Sequence, residues 1–148
     1  MELNELIKES TIKLSLDSTD KNSVIDEMID ILDKDGVLKD KAKFKEDILK
    51  REALNNTGIG FEIAIPHAKS VEVKEPRIAI GITKSGIDYG SIDGKDIKII
   101  FMIAVNDEQS DLHLKALANI SRKLMHEDFR NNLLNATSKE AVLEMFSF

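Results

Sequence analysis

Apolar positions along this chain fall into two periods, and the change from one to the other marks the elements. Between Thr11 and Leu16, apolar Ile12, Leu14 and Leu16 alternate with polar neighbours, the period of a half-buried strand. From Val24 the spacing becomes helical. Val24, Ile25, Met28, Ile29, Ile31 and Leu32 make one broad face, with Ser18 as the expected N-cap and Gly36 as the stop. A second helix is expected from an Asp40 cap to about Leu54, with Phe44, Ile48 and Arg51 on one side. Short apolar runs follow at Ile63–Ile65 and Ile78–Ile82. The longest, Ile97–Val105, reads as a central strand buried on both faces. Gly86 to Gly94 supplies turn chemistry between strands. Helices are expected from Ser110 to about Met125 and from Asp128 to Asn135. Thr137 and Glu140 have capping-box spacing for a last helix toward Phe146. Helices at both ends of a strand-rich middle point to an α/β layered domain, a mixed sheet with helices on both sides, occupying residues 1–148.

Composition narrows the chemistry. The 148 residues suffice for one full domain, and 42% hydrophobic residues can build its core. A net charge of −6, no basic stripe and few aromatics argue against nucleic-acid binding. The absence of cysteine removes disulfides, thiolate nucleophiles and cysteine-ligated zinc. The start of the chain lacks a basic n-region and apolar core, and no apolar run nears the roughly 20 residues that span a bilayer. A cytoplasmic location is expected.

Three histidines remain as candidates for chemistry. His67 follows Pro66, whose ring fixes its own φ and restricts Ile65 to extended geometry, so the chain enters His67 with little freedom. On the residues alone two readings stand: a loop histidine packed on the sheet, or a nucleophile presented to a partner. His113 falls between Leu117 and Ile120 on the inner arc of its helix, in the first turn. It is either a satisfied core histidine or a neutral donor to an anion at the positive end of the helix dipole. His126, beside Glu127 and Asp128, reads as a solvated or capping residue. Arg51 either lays its stem over the core or clamps a phosphate with its planar fork. Thr57, Gly58 and Gly60 form an ordinary turn or a backbone nest for anions. No nucleophile elbow, Walker loop, dinucleotide fingerprint or His-Glu-x-x-His helix is present. No metal or cofactor is expected.

Taken in order, Arg51-Glu52-Ala53, Thr57-Gly58-Ile59-Gly60, Ile63-Ala64-Ile65-Pro66-His67-Ala68 and His113-Leu114 resemble the signature of the fructose/mannitol-type enzyme IIA domain of the bacterial sugar phosphotransferase system. Pro76, Gly86-Ile87, Asp93-Gly94 and Leu117-Ala118 extend the resemblance over the whole chain. The resemblance implies a phosphocarrier. His67 would accept a phosphoryl group from the phosphocarrier protein HPr and pass it to a cysteine of a IIB component. His113 would help to orient it, Arg51 would approach the phosphoryl group, and Thr57 would donate to phosphate. Association with the membrane component IIC would be peripheral, through IIB, and that component would choose the sugar. A nitrogen-regulatory IIA module, signalling by its phosphorylation state, is the alternative from another class. Two departures stand out: Asn106 follows the long strand where relatives often have proline, and Glu62 puts an acid a few residues before His67. Nε2 of His67 is the expected attacking atom, with Nδ1 held by backbone.

Overall fold

The computed structural model describes residues 3–147 and places Ile97–Val105 (β6) at the centre of a six-stranded mixed sheet. The remaining elements, in chain order, are α1 (Leu3–Leu6), β1 (Ile7–Lys13), α2 (Lys21–Lys34), α3 (Lys41–Leu54), β2 (Gly58–Gly60), β3 (Ile63–Ala64), β4 (His67–Lys69), β5 (Arg77–Ile87), α4 (Ser110–Leu124), α5 (Glu127–Leu134) and α6 (Lys139–Met145). Strand order is β1-β5-β6-β3-β2, with β4 also paired to β6. The β5–β6 and β2–β3 pairs are antiparallel; β1–β5, β3–β6 and β4–β6 are parallel.

The alternation of side chains along β6 explains the layers. Ile100, Met102 and Ala104 face α2 and α3, where Val24, Ile25, Met28, Leu32, Phe44 and Ile48 cover them. Ile99, Phe101, Ile103 and Val105 face the opposite layer, where α4, α5 and α6 contribute Ala116, Ile120, Leu124, Leu133, Val142 and Phe146. A strand covered on both faces has no polar face to display, hence its continuous apolar run. Phe101 and Phe146 meet edge to face, with ring centroids 6.0 Å apart. No helix among the described residues is long and apolar enough to cross a membrane.

Most expected elements are present, with informative shifts. The first strand begins at Ile7 rather than Thr11, because an irregularity carries the polar residues between Ile7 and Ile12. Thr11 Oγ1 mends it, lying 2.9 Å from the Ile78 carbonyl oxygen and accepting from Lys8 N. Asp20, not Ser18, caps α2 by accepting from Ser23 N. Ser18 instead donates to Glu27 Oε1 at 2.6 Å. Gly36, with φ of +80°, adopts the left-handed conformation just past that helix. Asp40 caps α3 as expected, accepting from Ala42 N and Lys43 N. The last helix is capped by Ser138, whose Oγ accepts from Ala141 N; the cap thus falls one residue after Thr137, and with Ala141 at the third helical position the expected capping box does not form.

The segment Ile63 to Lys69 runs parallel to β6 in two pieces separated at Pro66. Pro66 contributes no N–H, but its carbonyl accepts from Ile103 N at 3.1 Å and keeps the two pieces aligned. His67 therefore starts β4 in a fixed register opposite Ile103.

Candidate functional site: a tautomer-locked histidine between two helices

The site forms where the last turn of α3 and the first turn of α4 meet β4. His67 is buried, and its two ring nitrogens have different partners. Nδ1 lies 2.7 Å from the Ile65 carbonyl oxygen, and Nε2 lies 3.1 Å from Arg51 Nε. A carbonyl oxygen can only accept and a guanidinium N–H can only donate. Nδ1 therefore carries the proton, and Nε2 presents a lone pair. Burial, opposed by the Ile65 carbonyl and assisted by the Arg51 charge, moves the His67 pKa below its ordinary 6.5. The ring is thus neutral near pH 7, the state required of an imidazole nucleophile.

Arg51 reaches Nε2 because it lies on the side of α3 that faces β4, and its Nη1 is anchored 2.9 Å from the Asn55 carbonyl at the helix end. His113 approaches from the opposite layer. Its ring centroid is 5.0 Å from that of His67, and its buried Nε2 has no hydrogen-bond partner. Burial first, then His67, Lys69 and Arg51, push its pKa down to about 4. Lys69 Nζ lies 3.4 Å from Ser110 Oγ, linking β4 to the same turn of α4. The α4 N-terminus adds a favourable environment for an anion. A cleft of about 330 Å³ opens here, bordered by Arg51, His67 and His113 together with Lys50, Leu54 and Lys69. With Asp47 also on its wall, it brings together one neutral imidazole with a bare Nε2, a second imidazole whose Nε2 is unpartnered, and the positive charge of Lys50, Arg51 and Lys69, a set chemically suited to receiving a phosphoryl group.

Three of the four residues singled out by sequence are thus brought together. Thr57 has other partners. Its hydroxyl donates to Glu52 Oε2 and its N–H to Glu52 Oε1, while Tyr89 Oη lies 3.0 Å from Thr57 Oγ1. Gly58 N is taken by Asn56 Oδ1 at 2.7 Å, so these two amides do not point together as an anion nest. Glu52 itself escaped the sequence reading, although it stands four residues after Ile48 and eight after Phe44, on the inward stripe of α3. His126 sits exposed at the N-cap position of α5 and makes no capping bond with its side chain.

The two departures noted in the sequence are accommodated. Phe61 and Glu62 form the turn between β2 and β3, both with positive φ, 57° and 64°. This turn directs Glu62 to Lys98, 3.3 Å away, in a separate cleft of about 480 Å³ that contains neither His67 nor His113. Asn106 Nδ2 donates to the Val73 carbonyl and Asn106 Oδ1 accepts from Glu108 N, which shapes the loop before α4.

Residues 5–148 match the family model described as phosphoenolpyruvate-dependent sugar phosphotransferase system, EIIA 2. The chain belongs to this family. It is 46% identical over 147 residues to the PTS system fructose-specific EIIABC component of Bacillus subtilis strain 168, covering 99% of this chain but only 23% of that protein. It is 38% identical over 127 residues to the PTS system fructose-specific EIIA component of Haloferax volcanii, covering 86% of this chain and 82% of that one. The crystal structure of nitrogen regulatory protein IIA-Ntr from Neisseria meningitidis superposes with a TM-score of 0.90 at 27% identity, over 98% of this chain and 99% of that one. EIIA components are phosphotransferase proteins, and the mixed sheet between two helical layers is their fold.

Proposed function

We propose that this EIIA chain is a phosphoryl carrier in sugar uptake, with His67 Nε2 as the atom that takes and gives the phosphoryl group. The observation that carries the proposal is the lock on the His67 tautomer: Nδ1–H bound to the Ile65 carbonyl, and the Nε2 lone pair facing Arg51 at the cleft. In the forward step the phosphorus–nitrogen bond of phosphorylated HPr breaks as a bond from Nε2 to phosphorus forms. The imidazole keeps its Nδ1 proton and gains positive character, which the Ile65 carbonyl stabilises. Arg51 and the amino end of α4 stabilise charge on the phosphoryl oxygens, and His113 helps to orient the group. Catalysis of this kind is positioning and electrostatics. In the second step a thiolate of a IIB component attacks phosphorus and Nε2 leaves with its lone pair, restoring the neutral ring. The exchange takes place in the cytoplasm, and the chain meets membrane-bound IIC only through IIB.

The test uses phosphorylated HPr carrying a labelled phosphoryl group, with a IIB domain as acceptor. The wild type should be labelled and should discharge to IIB. His67→Ala should take no label, and His113→Ala should take label but discharge more slowly. Stoichiometric labelling of His67→Ala would overturn the assignment.

The likeness to nitrogen regulatory protein IIA-Ntr supports a second reading, a module whose binding partners change with the phosphorylation of His67. Discharge to IIB separates the two: a transport component passes its label on, whereas a regulatory module retains it.

A further inference from the structure

Behind the cleft lies a buried polar chain that touches neither ring of the histidine pair. Glu52, Thr57 and Tyr89 are all buried, and Lys21 from α2 closes the group. Lys21 Nζ is 3.0 Å from Glu52 Oε1 and lies over the Tyr89 ring at 4.9 Å from its centroid. Donor bookkeeping fixes the direction of the chain. Thr57 has one hydroxyl proton, and a carboxylate can only accept, so that proton goes to Glu52. Tyr89 then donates to Thr57 Oγ1.

The backbone of Thr57 carries this order into the site. Its carbonyl accepts from Ile65 N at 3.0 Å, and the carbonyl of Ile65 is the acceptor of His67 Nδ1–H. Arg51, the residue before Glu52, addresses Nε2 directly. One turn of α3 thus reaches both ring nitrogens: Arg51 by contact, Glu52 through Thr57 and Ile65.

We propose that Glu52 and Thr57 are positioning residues that hold the His67 tautomer by anchoring Ile65: its N–H, in the Ala64–Ile65 peptide, is tied to the Thr57 carbonyl, and Pro66, by restricting Ile65 to extended geometry, passes that restraint to the Ile65 carbonyl in the next peptide. This rests on the reading of His67 as the phosphoryl acceptor. A buried carboxylate receiving the Thr57 amide, the Thr57 hydroxyl and the Lys21 ammonium is a stiff anchor, because each lost bond would strand a polar group away from water. Its purpose follows from what it restrains. If the Ile65 carbonyl turns away, Nδ1 loses its acceptor, the Arg51 N–H alone is left to favour an unprotonated Nε2, and the share of rings carrying an Nε2–H that cannot attack phosphorus rises. Carboxylates and carbonyls that accept from the free N–H of a metal-bound histidine fix its tautomer in the same way.

The experiment follows the His67 ring by nitrogen–proton NMR in the full chain for the wild type, Glu52→Gln, Thr57→Val and Thr57→Ser, alongside single-turnover transfer from phosphorylated HPr. Glu52→Gln and Thr57→Val should show a mixture of ring tautomers and a fall in transfer rate of about tenfold or more. The saturating HPr concentration should not change. Thr57→Ser keeps the hydroxyl and should restore both readouts to within about twofold. Wild-type tautomer signals and rates in folded Glu52→Gln and Thr57→Val would overturn the inference. So would loss of the dispersed amide spectrum in both variants, which would make the pair a stability element. Labelling of His67→Ala would instead overturn the phosphoryl-acceptor reading, so the two failures are distinguishable.

Discussion

Replacing Arg51 with methionine keeps an unbranched stem over α3 while removing the guanidinium that stands 3.1 Å from His67 Nε2. A hydrogen bond from a charged donor contributes about 1.5–3 kcal/mol. Once a phosphoryl group sits on Nε2, the same cation faces an anion. At about 4 Å and an effective dielectric of about 20, that pair interacts by about 4 kcal/mol. Water entering the open cleft returns part of this, leaving a net loss of about 2–4 kcal/mol in the transition state. At about 1.4 kcal/mol per decade the transfer rate should fall by about 30- to 1000-fold. Rapid-quench transfer from phosphorylated HPr measures this directly. Arg51→Lys should recover only part of the rate, since an ammonium cannot present Nε in the same fork geometry. A second readout is independent of turnover. The Arg51 charge is one of the causes lowering the His67 pKa, so Arg51→Met should raise it, though burial, the larger cause, keeps acting. A folded Arg51→Met protein with transfer within threefold of wild type and an unmoved His67 pKa would refute the reasoning.

Three further expectations concern pH and packing. His113 has its pKa pushed from 6.5 down to about 4, so as pH falls below 6.5 the unfolded chain binds a proton that the folded chain refuses. Stability from this source is full above pH 6.5 and is lost between 6.5 and 4; denaturant titrations of His113→Gln should show a shallower decline than wild type in that window, and parallel curves would contradict it. Glu27 is held at about 2: burial opposes this, but bonds from Lys13, Ser18 and the Asp17 and Ser18 amides outweigh it. Its contribution is present above pH 4.5 and lost as pH falls toward 2, and Glu27→Gln should cost about 1–3 kcal/mol at pH 7 by chemical denaturation. Phe101→Ala should cost about 3–5 kcal/mol, because the ring is fully buried against Phe146 and the sheet cannot collapse around the gap; a loss below 1 kcal/mol in thermal melts would show that the core there is loosely packed.

What the sequence disclosed, and what it hid, follows from how local each signal was. The strand Ile97–Val105 was legible because nine successive positions contain one charge, and only burial on both faces tolerates that pattern. Asp40 was legible as a cap because a carboxylate before a helix has amides to receive. Two caps were misplaced for one reason: Ser18 and Thr137 each stand near another acceptor, Asp20 and Ser138, and the choice depends on where the helix axis packs. The turn at Phe61–Glu62 carried no signal, since neither residue favours positive φ and the conformation is imposed by pairing between β2 and β3. Within the site, the Pro66–His67 pair announced a constrained histidine. The meeting of His67 with His113 depends on two layers closing on β4, and only family order among the motifs anticipated it. The Glu52 anchor was overlooked because a buried acid looks like a break in an apolar stripe until its partners are seen.

The central claim is that phosphoryl transfer runs through one nitrogen of one residue. The most direct measurement phosphorylates the wild-type chain with HPr and locates the phosphoryl group by phosphorus–nitrogen NMR on ring-labelled histidine. The account predicts one phosphoryl group per chain, on Nε2 of His67, with Nδ1 still protonated. A phosphoryl group on Nδ1, on His113, or on a residue other than histidine would contradict it.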